Sequence, residues 1–356
     1  MSERMISAQP AANGSLTDEQ IDSWREQGYS FVSGLVPEDL TAKLTQSALN
    51  QFPSPETPEA EQITNFGSDG ALTFPSRAQG FNEITLHENI ICAVADLLNV
   101  AAEELRLTQS DLWPKYGRDG STGRFDNQDQ RIHVDYPNHS LAHPTPWNRP
   151  EAVELILYLS DWTHTGGSTA LTPRTTSVGG ANEDAKDTQD AKDTQDLTRR
   201  WPIIDSPGIG DLDYVNDRSD AETYFAAQRP QRAEWRAQLY EREVLTAFKP
   251  GDILFYRHDV WHRGTPIRPG QLRLVQNMTY RLAHAEWINT VHVGWSWQAY
   301  HKDKFLERLI AASSLRQRAV MGFPQPKSTY WCKETFDGVA ARYESFGMDM
   351  SPYKVD

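Results

Sequence analysis

Three side chains with metal-binding chemistry stand out in this chain of 356 residues. His133 and Asp135 are separated by a single valine, and His262 follows much later in the sequence. Two imidazoles and one carboxylate are the ligand set that holds a non-haem Fe(II) ion and leaves coordination positions open. On a strand, residues i and i+2 project to the same side about 7 Å apart, so His133 and Asp135 could reach one ion.

A basic residue stands where an organic acid co-substrate would need it. Arg273 follows His262 on a predicted strand, and an antiparallel return of the chain could bring it beside the metal. Its guanidinium can grip a carboxylate with two hydrogen bonds and stays charged when buried. The four residues together favour an oxygenase.

The assignment of the second histidine depends on its surroundings. The tripeptide His133-Val134-Asp135 alone carries little weight, because a histidine and an aspartate at this spacing are common by chance. His258 is a competing candidate for the third ligand. We prefer His262, because Arg273 follows it at a distance suited to a hairpin return.

The elements that must position these residues are mostly short strands. Their patterns are alternating or continuously apolar, with turn residues between them. The predicted strands cover residues 29–32, 105–115, 152–159, 168–171, 251–257 and 272–281. The series predicts a mainly β fold with helical flanks and a double-stranded β-helix (jelly-roll or cupin-like) core. Leu105, Leu107, Gln109, Asp111, Trp113 and Lys115 are expected on one face of their strand.

Domain organisation is predicted as a disordered N-terminus over residues 1–15 and a single domain over residues 16–356. The domain comprises an N-terminal helical part (16–104), the jelly-roll core (105–281) and C-terminal helices (282–356), with one amphipathic helix over 303–320. Thr17 and Gln20 predict a capping box at the first helix. Residues 176–247 interrupt the strand series and contain a tandem hexapeptide over 185–196. We expect this insertion to be a lid with a disordered tip.

Composition limits the partners of the protein. The net charge is −14, from 35 Lys and Arg against 49 Asp and Glu, which argues against a broad nucleic-acid or anionic-membrane surface. Cys92 and Cys332 lack metal-knuckle spacing and fit a reducing compartment. The sequence begins without a signal-like apolar segment and contains no apolar run long enough to span a bilayer. A cytoplasmic protein with a small-molecule substrate is therefore expected, and its oligomeric state is not predicted.

The chain resembles the phytanoyl-CoA dioxygenase family of Fe(II)/2-oxoglutarate oxygenases from about Leu16 to Tyr353. The motifs that carry the resemblance occur in the family's order. They are Leu16–Gln20 with Gln27–Phe31, His133-Val134-Asp135, Thr165–Pro173, Pro250-Gly251-Asp252, Trp261–Gly264, and the tail segments Met321–Pro324 and Met350–Tyr353.

The resemblance implies roles for particular residues. His133, Asp135 and His262 would bind Fe(II), and Arg273 would bind the distal carboxylate of 2-oxoglutarate with help from the Thr265 hydroxyl. Lys115 is also assigned to the co-substrate. The implied reaction is hydroxylation of a small organic molecule by O2, with release of succinate and CO2. Related halogenating enzymes lack the carboxylate ligand, so the presence of Asp135 favours hydroxylation or another oxidation over halogenation.

Other interpretations remain at this stage. Gln109 and Trp113 are predicted to line the substrate pocket, although ordinary strand packing would explain them and Lys115 equally well. The aromatic residues Tyr136, Trp147 and those over 287–300 would suit a partly apolar substrate, or they belong to the core. A non-catalytic metal- or small-molecule-binding jelly roll is the main alternative. A zinc hydrolase is another, but Arg273 has no evident purpose there.

Overall fold

Two β-sheets form the centre of the computed structural model, which describes residues 4–63, 71–118, 129–135, 142–174, 196–199, 215–285, 304–320 and 323–355. The strands in these ranges are β1 (Met5–Ile6), β2 (Gln9–Pro10), β3 (Tyr29–Ser33), β4 (Leu72–Thr73), β5 (Leu105–Tyr116), β6 (Ala152–Tyr158), β7 (Thr169–Leu171), β8 (Val244–Thr246), β9 (Ile253–Tyr256), β10 (His262–Gly264) and β11 (Leu272–Leu282). The larger sheet has the order β2-β3-β9-β6-β11-β5-β4, and the smaller has the order β1-β8-β7-β10.

The chain crosses repeatedly between the two sheets. After β5 in the large sheet, His133 pairs with His262 at the edge of the small sheet. The chain then forms β6 in the large sheet and β7 and β8 in the small sheet. It returns to the large sheet with β9, adds β10 to the small sheet, and forms β11 in the large sheet. This alternation is the arrangement of a double-stranded β-helix. The predicted fold class is confirmed.

The space between the sheets is filled by one apolar cluster. Tyr158 of β6 stacks on Phe248 with ring centroids 4.2 Å apart, and its hydroxyl donates a 2.7 Å hydrogen bond to Thr169 of β7. The cluster also includes Ile156, Leu171, Val244, Leu254, Tyr256, Val260 and Val275. Its side chains come from alternate positions of the facing strands, as face-to-face sheet packing requires.

A bulge in β5 changes the predicted facing of its residues. The register with β11 shifts between Thr279, which pairs with Gln109, and Tyr280, which pairs with Leu107. The extra residue at Thr108 turns Leu107 toward the helical side, whereas Gln109 faces the small sheet. The expectation of one shared face from Leu105 to Lys115 is therefore wrong, and only Gln109 onward lines the interior.

Helices cover the other face of the large sheet and also follow its last strand in the C-terminal region. They are α1 (Asp18–Gln27), α2 (Glu38–Gln51), α3 (Pro58–Gln62), α4 (Phe81–Thr85), α5 (Glu88–Leu98), α6 (Trp162–Thr165), α7 (Arg218–Gln228), α8 (Pro230–Glu241), α9 (Phe305–Ala312), α10 (Leu315–Val320) and α11 (Lys333–Tyr343). Four short 3₁₀ helices accompany them at Ala102–Glu104, Leu197–Arg199, Glu344–Phe346 and Ser351–Tyr353. Helix α5 is apolar enough to bury one side against the sheet through Ile90, Val94 and Leu97.

The N-terminal residues that the structure describes, from residue 4 onward, are held by hydrogen bonds. Thr17 and Gln20 form both hydrogen bonds of the predicted capping box. The Gln20 amide also donates to the carbonyls of Gln9 and Pro10, while β1 pairs in parallel with β8. The prediction of a disordered N-terminus is therefore wrong for these residues, because an open sheet edge and a buried amide hold them.

The insertion ends earlier than the sequence indicated. Val244–Thr246 forms strand β8 of the small sheet, so the boundary at residue 247 is wrong. The helix-like segment before it is confirmed as α7 and α8, and Pro230 occupies the first turn of α8. Most of residues 176–214, including the tandem hexapeptide up to residue 195, lie outside the described residues.

The C-terminal region forms a satellite core around Phe323, Trp331, Tyr343 and Tyr353. The predicted single helix over 303–320 is instead two helices, α9 and α10, with Ser313 ending the first. Tyr136, Met321 and the aromatic residues over 287–300 lie outside the described residues. Within the part of the chain that is described, no helix has both the length and the apolarity to traverse a bilayer.

Candidate active site

His133, Asp135 and His262 come together at the edge of the small sheet. One ligand atom from each lies within 4.8 Å of the others. Asp135 Oδ1 is 3.6 Å from His133 Nε2, and Asp135 Oδ2 is 3.2 Å from His262 Nε2. Metal–ligand bonds of about 2.0–2.2 Å place two ligand atoms of one ion about 3–4 Å apart. The three side chains therefore fit a single ion.

The backbone fixes the two histidines relative to each other. The N–H of His133 donates to the carbonyl of His262 at 2.9 Å, and the N–H of His262 donates to the carbonyl of His133 at 2.8 Å. Their rings lie 4.4 Å apart between centroids. This closely bonded antiparallel pair explains how residues so distant in sequence can share one site.

The hydrogen bonds of the imidazole rings leave the same nitrogen available on both. His133 Nδ1 lies 3.0 Å from the carbonyl oxygen of Arg131, and His262 Nδ1 lies 3.0 Å from that of Val260. With a proton on Nδ1 donated to a carbonyl, each Nε2 keeps its lone pair for a metal. Burial, with the nearby charges of Arg131 and His262, holds the pKa of His133 well below its ordinary value, which favours the neutral ring.

Asp135 is oriented by a tyrosine from the large sheet. Tyr256 donates a 2.8 Å hydrogen bond to Asp135 Oδ2. Burial and the neighbouring Asp135 carboxylate hold the pKa of Tyr256 well above its ordinary value, so the phenol remains a donor. Sequence analysis missed Tyr256, although its place in the predicted strand over 251–257 was a usable signal.

Arg273 and Lys115 face each other on paired strands beside this cluster. They are directly opposite in the β5–β11 register, and their exposed fractions are 2% and 8%. Burial, with Arg273 nearby, lowers the pKa of Lys115 well below its ordinary value, while Asp135 opposes that shift. Arg273 donates to the carbonyl of Gly167, and its Nε has no hydrogen-bond partner among the described residues. Two buried cations at this position form a site suited to an anion.

Thr265 is close to this region but its hydroxyl is engaged. It donates to the carbonyl of Ser168 at 2.9 Å, and the backbone N–H of Thr265 bonds to the same oxygen. The hydroxyl would have to leave Ser168 in order to donate to a carboxylate. Burial raises the pKa of the nearby Tyr158 hydroxyl, and Arg273 opposes that shift.

Gln109 and Trp113 lie on the interior face of β5. Gln109 is opposite Thr279 and donates a 2.8 Å hydrogen bond to Asp111, while Trp113 is opposite Val275 and buried. Glu154 of β6 lies beyond Thr279 and accepts a hydrogen bond from its hydroxyl. The interior wall thus changes from basic at Lys115 to polar and acidic at its other end.

Three further histidines of the described residues, His143, His164 and His258, lie outside the metal cluster. His258 is buried, and its backbone carbonyl accepts from the N–H of Asp135, but the three-residue metal cluster contains His262 instead. His143 packs against Gly338 and bonds through Nδ1 to the carbonyl of Pro144. His164 lies in the last turn of helix α6. Among these described residues the geometry favours the preferred third ligand.

Comparisons with known proteins give one family and several distant structural likenesses. A family model described as phytanoyl-CoA dioxygenase (PhyH) matches residues 24–275. EvdO2 from Micromonospora carbonacea var. aurantiaca is 14% identical with a TM-score of 0.49, covering 76% of this chain and 92% of that chain. The non-haem alpha-ketoglutarate-dependent carbocyclase SnoK from nogalamycin biosynthesis is 15% identical with a TM-score of 0.47, covering 81% and 92%. EctD from S. alaskensis in its apoform is 14% identical with a TM-score of 0.47, covering 82% and 87%. No curated protein sequence matches the chain. The family match supports the assignment of function. The structural likenesses are too distant to support one.

Proposed function

The chain belongs to the phytanoyl-CoA dioxygenase family, and from this premise we propose that His133, Asp135 and His262 are its iron ligands. The protein is a non-haem iron- and 2-oxoglutarate-dependent oxygenase. The family supplies the class of reaction and the cofactors. The close approach of the three ligand atoms supports the assignment to these particular residues.

Arg273 and Lys115 are proposed to bind 2-oxoglutarate. The observation that carries this assignment is the pair of buried cations facing each other beside the metal cluster. Like charges directly opposite on paired strands destabilise each other, and a dicarboxylate would relieve that repulsion. The free Nε of Arg273 offers a further donor to such an anion. Thr265 stays a weaker candidate, because its hydroxyl already donates to Ser168.

When bound, Fe(II) with 2-oxoglutarate and O2 supplies the oxidising chemistry, in which a substrate C–H bond is hydroxylated and succinate and CO2 are released. The residues of the chain have simpler tasks. Tyr256 orients the Asp135 carboxylate, and the Nδ1 bonds orient both histidine rings. The apolar cluster between the sheets keeps water from the back of the site.

Gln109 and Trp113 are proposed to contact the substrate. Along the interior face of β5, Trp113, Asp111 and Gln109 lie progressively farther from Lys115. Asn277 of β11 is opposite Asp111. Gln109 and Asn277 are both partly exposed, whereas Lys115 and Arg273 are buried. A small organic molecule with an apolar part against Trp113 and polar groups near Gln109 would fit this gradient.

The cytoplasm is the proposed location, and a small molecule is the proposed partner. Both Cys92 and Cys332 are free thiols, which fits a reducing compartment. The net charge of −14 favours a small-molecule substrate over a nucleic acid. Fractionation of cells that express the protein at native level would test the location, and recovery in an oxidising compartment would contradict it.

Anaerobic ultraviolet–visible titration tests the cofactor site. Addition of Fe(II) and then 2-oxoglutarate should give a weak visible charge-transfer band in the wild-type protein. The Arg273→Ala variant should need much higher 2-oxoglutarate to give that band. Arg281→Ala is the matched control, because Arg281 lies on the same strand but bonds to the carbonyls of Leu282 and Ala283.

The outcomes separate the alternatives. A band in the wild type justifies a screen of small polar compounds for substrate-dependent succinate release. Metal binding without a band would favour a non-catalytic metal-binding jelly roll. Retention of Zn(II) together with hydrolytic activity would favour a zinc hydrolase. Equal loss of the band in the Arg273 and Arg281 variants would contradict the role of Arg273.

A further inference from the structure

The peptide of Ile132, immediately before His133, is held by side chains of helix α8. The N–H of Ile132 donates a 2.8 Å hydrogen bond to the Tyr240 hydroxyl, and the carbonyl of Ile132 accepts a 2.9 Å bond from Arg236 Nη2. Both polar groups of this residue are therefore satisfied by side chains of the insertion. His133, the next residue, directs its own N–H and carbonyl to His262.

These two side-chain hydrogen bonds take the place of bonds to a neighbouring strand. His133 pairs with β10 on one side, and a further strand would ordinarily bond the groups that point away. Helix α8 takes that place, and buried backbone groups need such partners. The segment that carries His133 is consequently fixed from both sides, by His262 on one and by Arg236 and Tyr240 on the other.

A carboxylate of helix α7 ties the two α8 side chains together. Glu222 accepts bonds from Arg236 Nε and Nη2 at 3.0 and 2.8 Å, and from the Tyr240 hydroxyl at 2.8 Å. Arg236 is fully buried and lies over the Phe225 ring at 4.4 Å. Charge-assisted bonds to a fixed carboxylate restrict the guanidinium to one orientation. The network is thus rigid where it contacts Ile132.

Other contacts join the insertion to the second ligand segment. The Trp261 indole donates to the carbonyl of Thr198, and Arg263 bonds Glu243. Both residues flank His262. A movement of α7 and α8 as a lid would break the bonds of Arg236 and Tyr240 to Ile132, so the described part of the insertion is a support behind the proposed metal ligands. The predicted lid role is not favoured for these two helices.

We propose that Arg236 and Tyr240 are positioning residues that set the location of His133 Nε2 through the Ile132 peptide. The proposal rests on the assignment of His133 as an iron ligand. Neither side chain needs to touch the metal, 2-oxoglutarate or the substrate. Their effect should appear in metal affinity and in the spectrum of the metal site, even where the fold is unchanged.

The Tyr240→Phe variant removes one hydroxyl and leaves the ring in place. Mn(II) serves as an air-stable probe for a site of imidazoles and a carboxylate. Mn(II) affinity, measured by electron paramagnetic resonance, should fall about tenfold, because a buried N–H loses its acceptor beside a ligand. The Fe(II)–2-oxoglutarate band should shift or broaden. Tyr224→Phe on α7 is the matched control, since the Tyr224 ring packs edge-on against Phe225.

A second pair of variants tests Arg236. Arg236→Lys keeps a donor near the Ile132 carbonyl and should retain more Mn(II) affinity than Arg236→Met. Unchanged affinity and an unchanged band in folded Tyr240→Phe would overturn the proposal, and so would equal losses in Tyr224→Phe. Absence of the band in the wild type would instead contradict the proposed function itself.

Discussion

The Tyr256 hydroxyl donates a 2.8 Å hydrogen bond to Asp135 Oδ2, the oxygen that also lies 3.2 Å from His262 Nε2. The large sheet, which carries Tyr256, thereby orients a ligand that belongs to the small-sheet side of the molecule. Partners of this kind restrict the rotation of a ligating carboxylate and tune its basicity. The proposed metal site therefore depends on both sheets.

The Tyr256→Phe variant should bind Mn(II) about tenfold more weakly than the wild type, because Asp135 loses its orienting donor. Electron paramagnetic resonance titration would measure the affinity. Tyr280→Phe is a suitable control, since the Tyr280 hydroxyl donates to the carbonyl of Thr85 on the helical side of the same sheet. Equal weakening in both variants would show that the effect is not specific to Asp135.

The Lys115→Met variant should have opposite effects on stability and on co-substrate binding. Removal of one of two facing buried cations should raise the free energy of unfolding of the cofactor-free protein by about 1 kcal/mol. The same change should weaken 2-oxoglutarate binding by at least about tenfold, because one charge partner is lost. Thermal unfolding with and without 2-oxoglutarate measures both effects. The exposed Lys354→Met change should alter neither, and undiminished 2-oxoglutarate binding by Lys115→Met would refute its assignment.

Asp252 should make the stability of the protein depend on pH. Burial raises the pKa of this carboxyl to about 6 from its ordinary 3.8, although the N–H of Lys249 bonds it and opposes the shift. Between these two values the folded state binds more protons than the unfolded state, so stability falls as the pH rises. Above about pH 6 the full cost of the charged carboxylate is present.

Replacement of Asp252 by asparagine removes the charge of the side chain but keeps its shape. Asp252→Asn should raise the free energy of unfolding at pH 7.5 by about 1 kcal/mol, after allowance for solvent screening. At pH 4 the two proteins should be equally stable, because the folded wild type is then protonated. Urea unfolding at both pH values measures the difference. A variant that is less stable than the wild type at pH 7.5 would disprove this account of Asp252.

The Gln20→Ala variant should destabilise the N-terminal segment. The Gln20 side chain completes the capping box with Thr17 and bonds the carbonyls of Gln9 and Pro10. Loss of these bonds should lower the free energy of unfolding by roughly 1–2 kcal/mol and increase amide exchange over residues 9–12, where Ala11 donates to Ser33 and Ala12 donates to Ser15. Hydrogen exchange measured by mass spectrometry would report both changes. Gln46→Ala, which loses only an exposed bond to Asn50, should leave exchange over residues 9–12 unchanged.

Local sequence patterns predicted much of the architecture. The alternation from Leu105 and the apolar run from Ala152 each predicted a strand that the structure contains, because side-chain periodicity follows directly from burial of one or both faces. The metal cluster was also predictable, since ligand chemistry restricts residue types so strongly. The position of Arg273 followed from the length of the return after His262, whereas Lys115 was singled out only by its place on the predicted strand, and its pairing with Arg273 was not predicted.

Features that depend on contacts between distant segments were not predictable. The bulge at Thr108 has no residue signature of its own and is visible only in the register with β11. Strand β8 is short and follows a helical segment, so the sequence pattern assigned its residues to the insertion. Tyr256, Arg236 and Tyr240 bond through their side chains to residues remote in sequence, and neither periodicity nor composition carries that information.

Strand β1 has a consequence for how the chain can be completed during synthesis. Its only sheet partner in the described structure is β8, so Met5 and Ile6 emerge from the ribosome long before Leu245 and Thr246 exist. At about 5–20 residues per second, the first strand waits on the order of tens of seconds for its partner. The small sheet is therefore finished late, and strand β1 stays without this partner until Thr246, about two-thirds of the way along the 356 residues, has been translated.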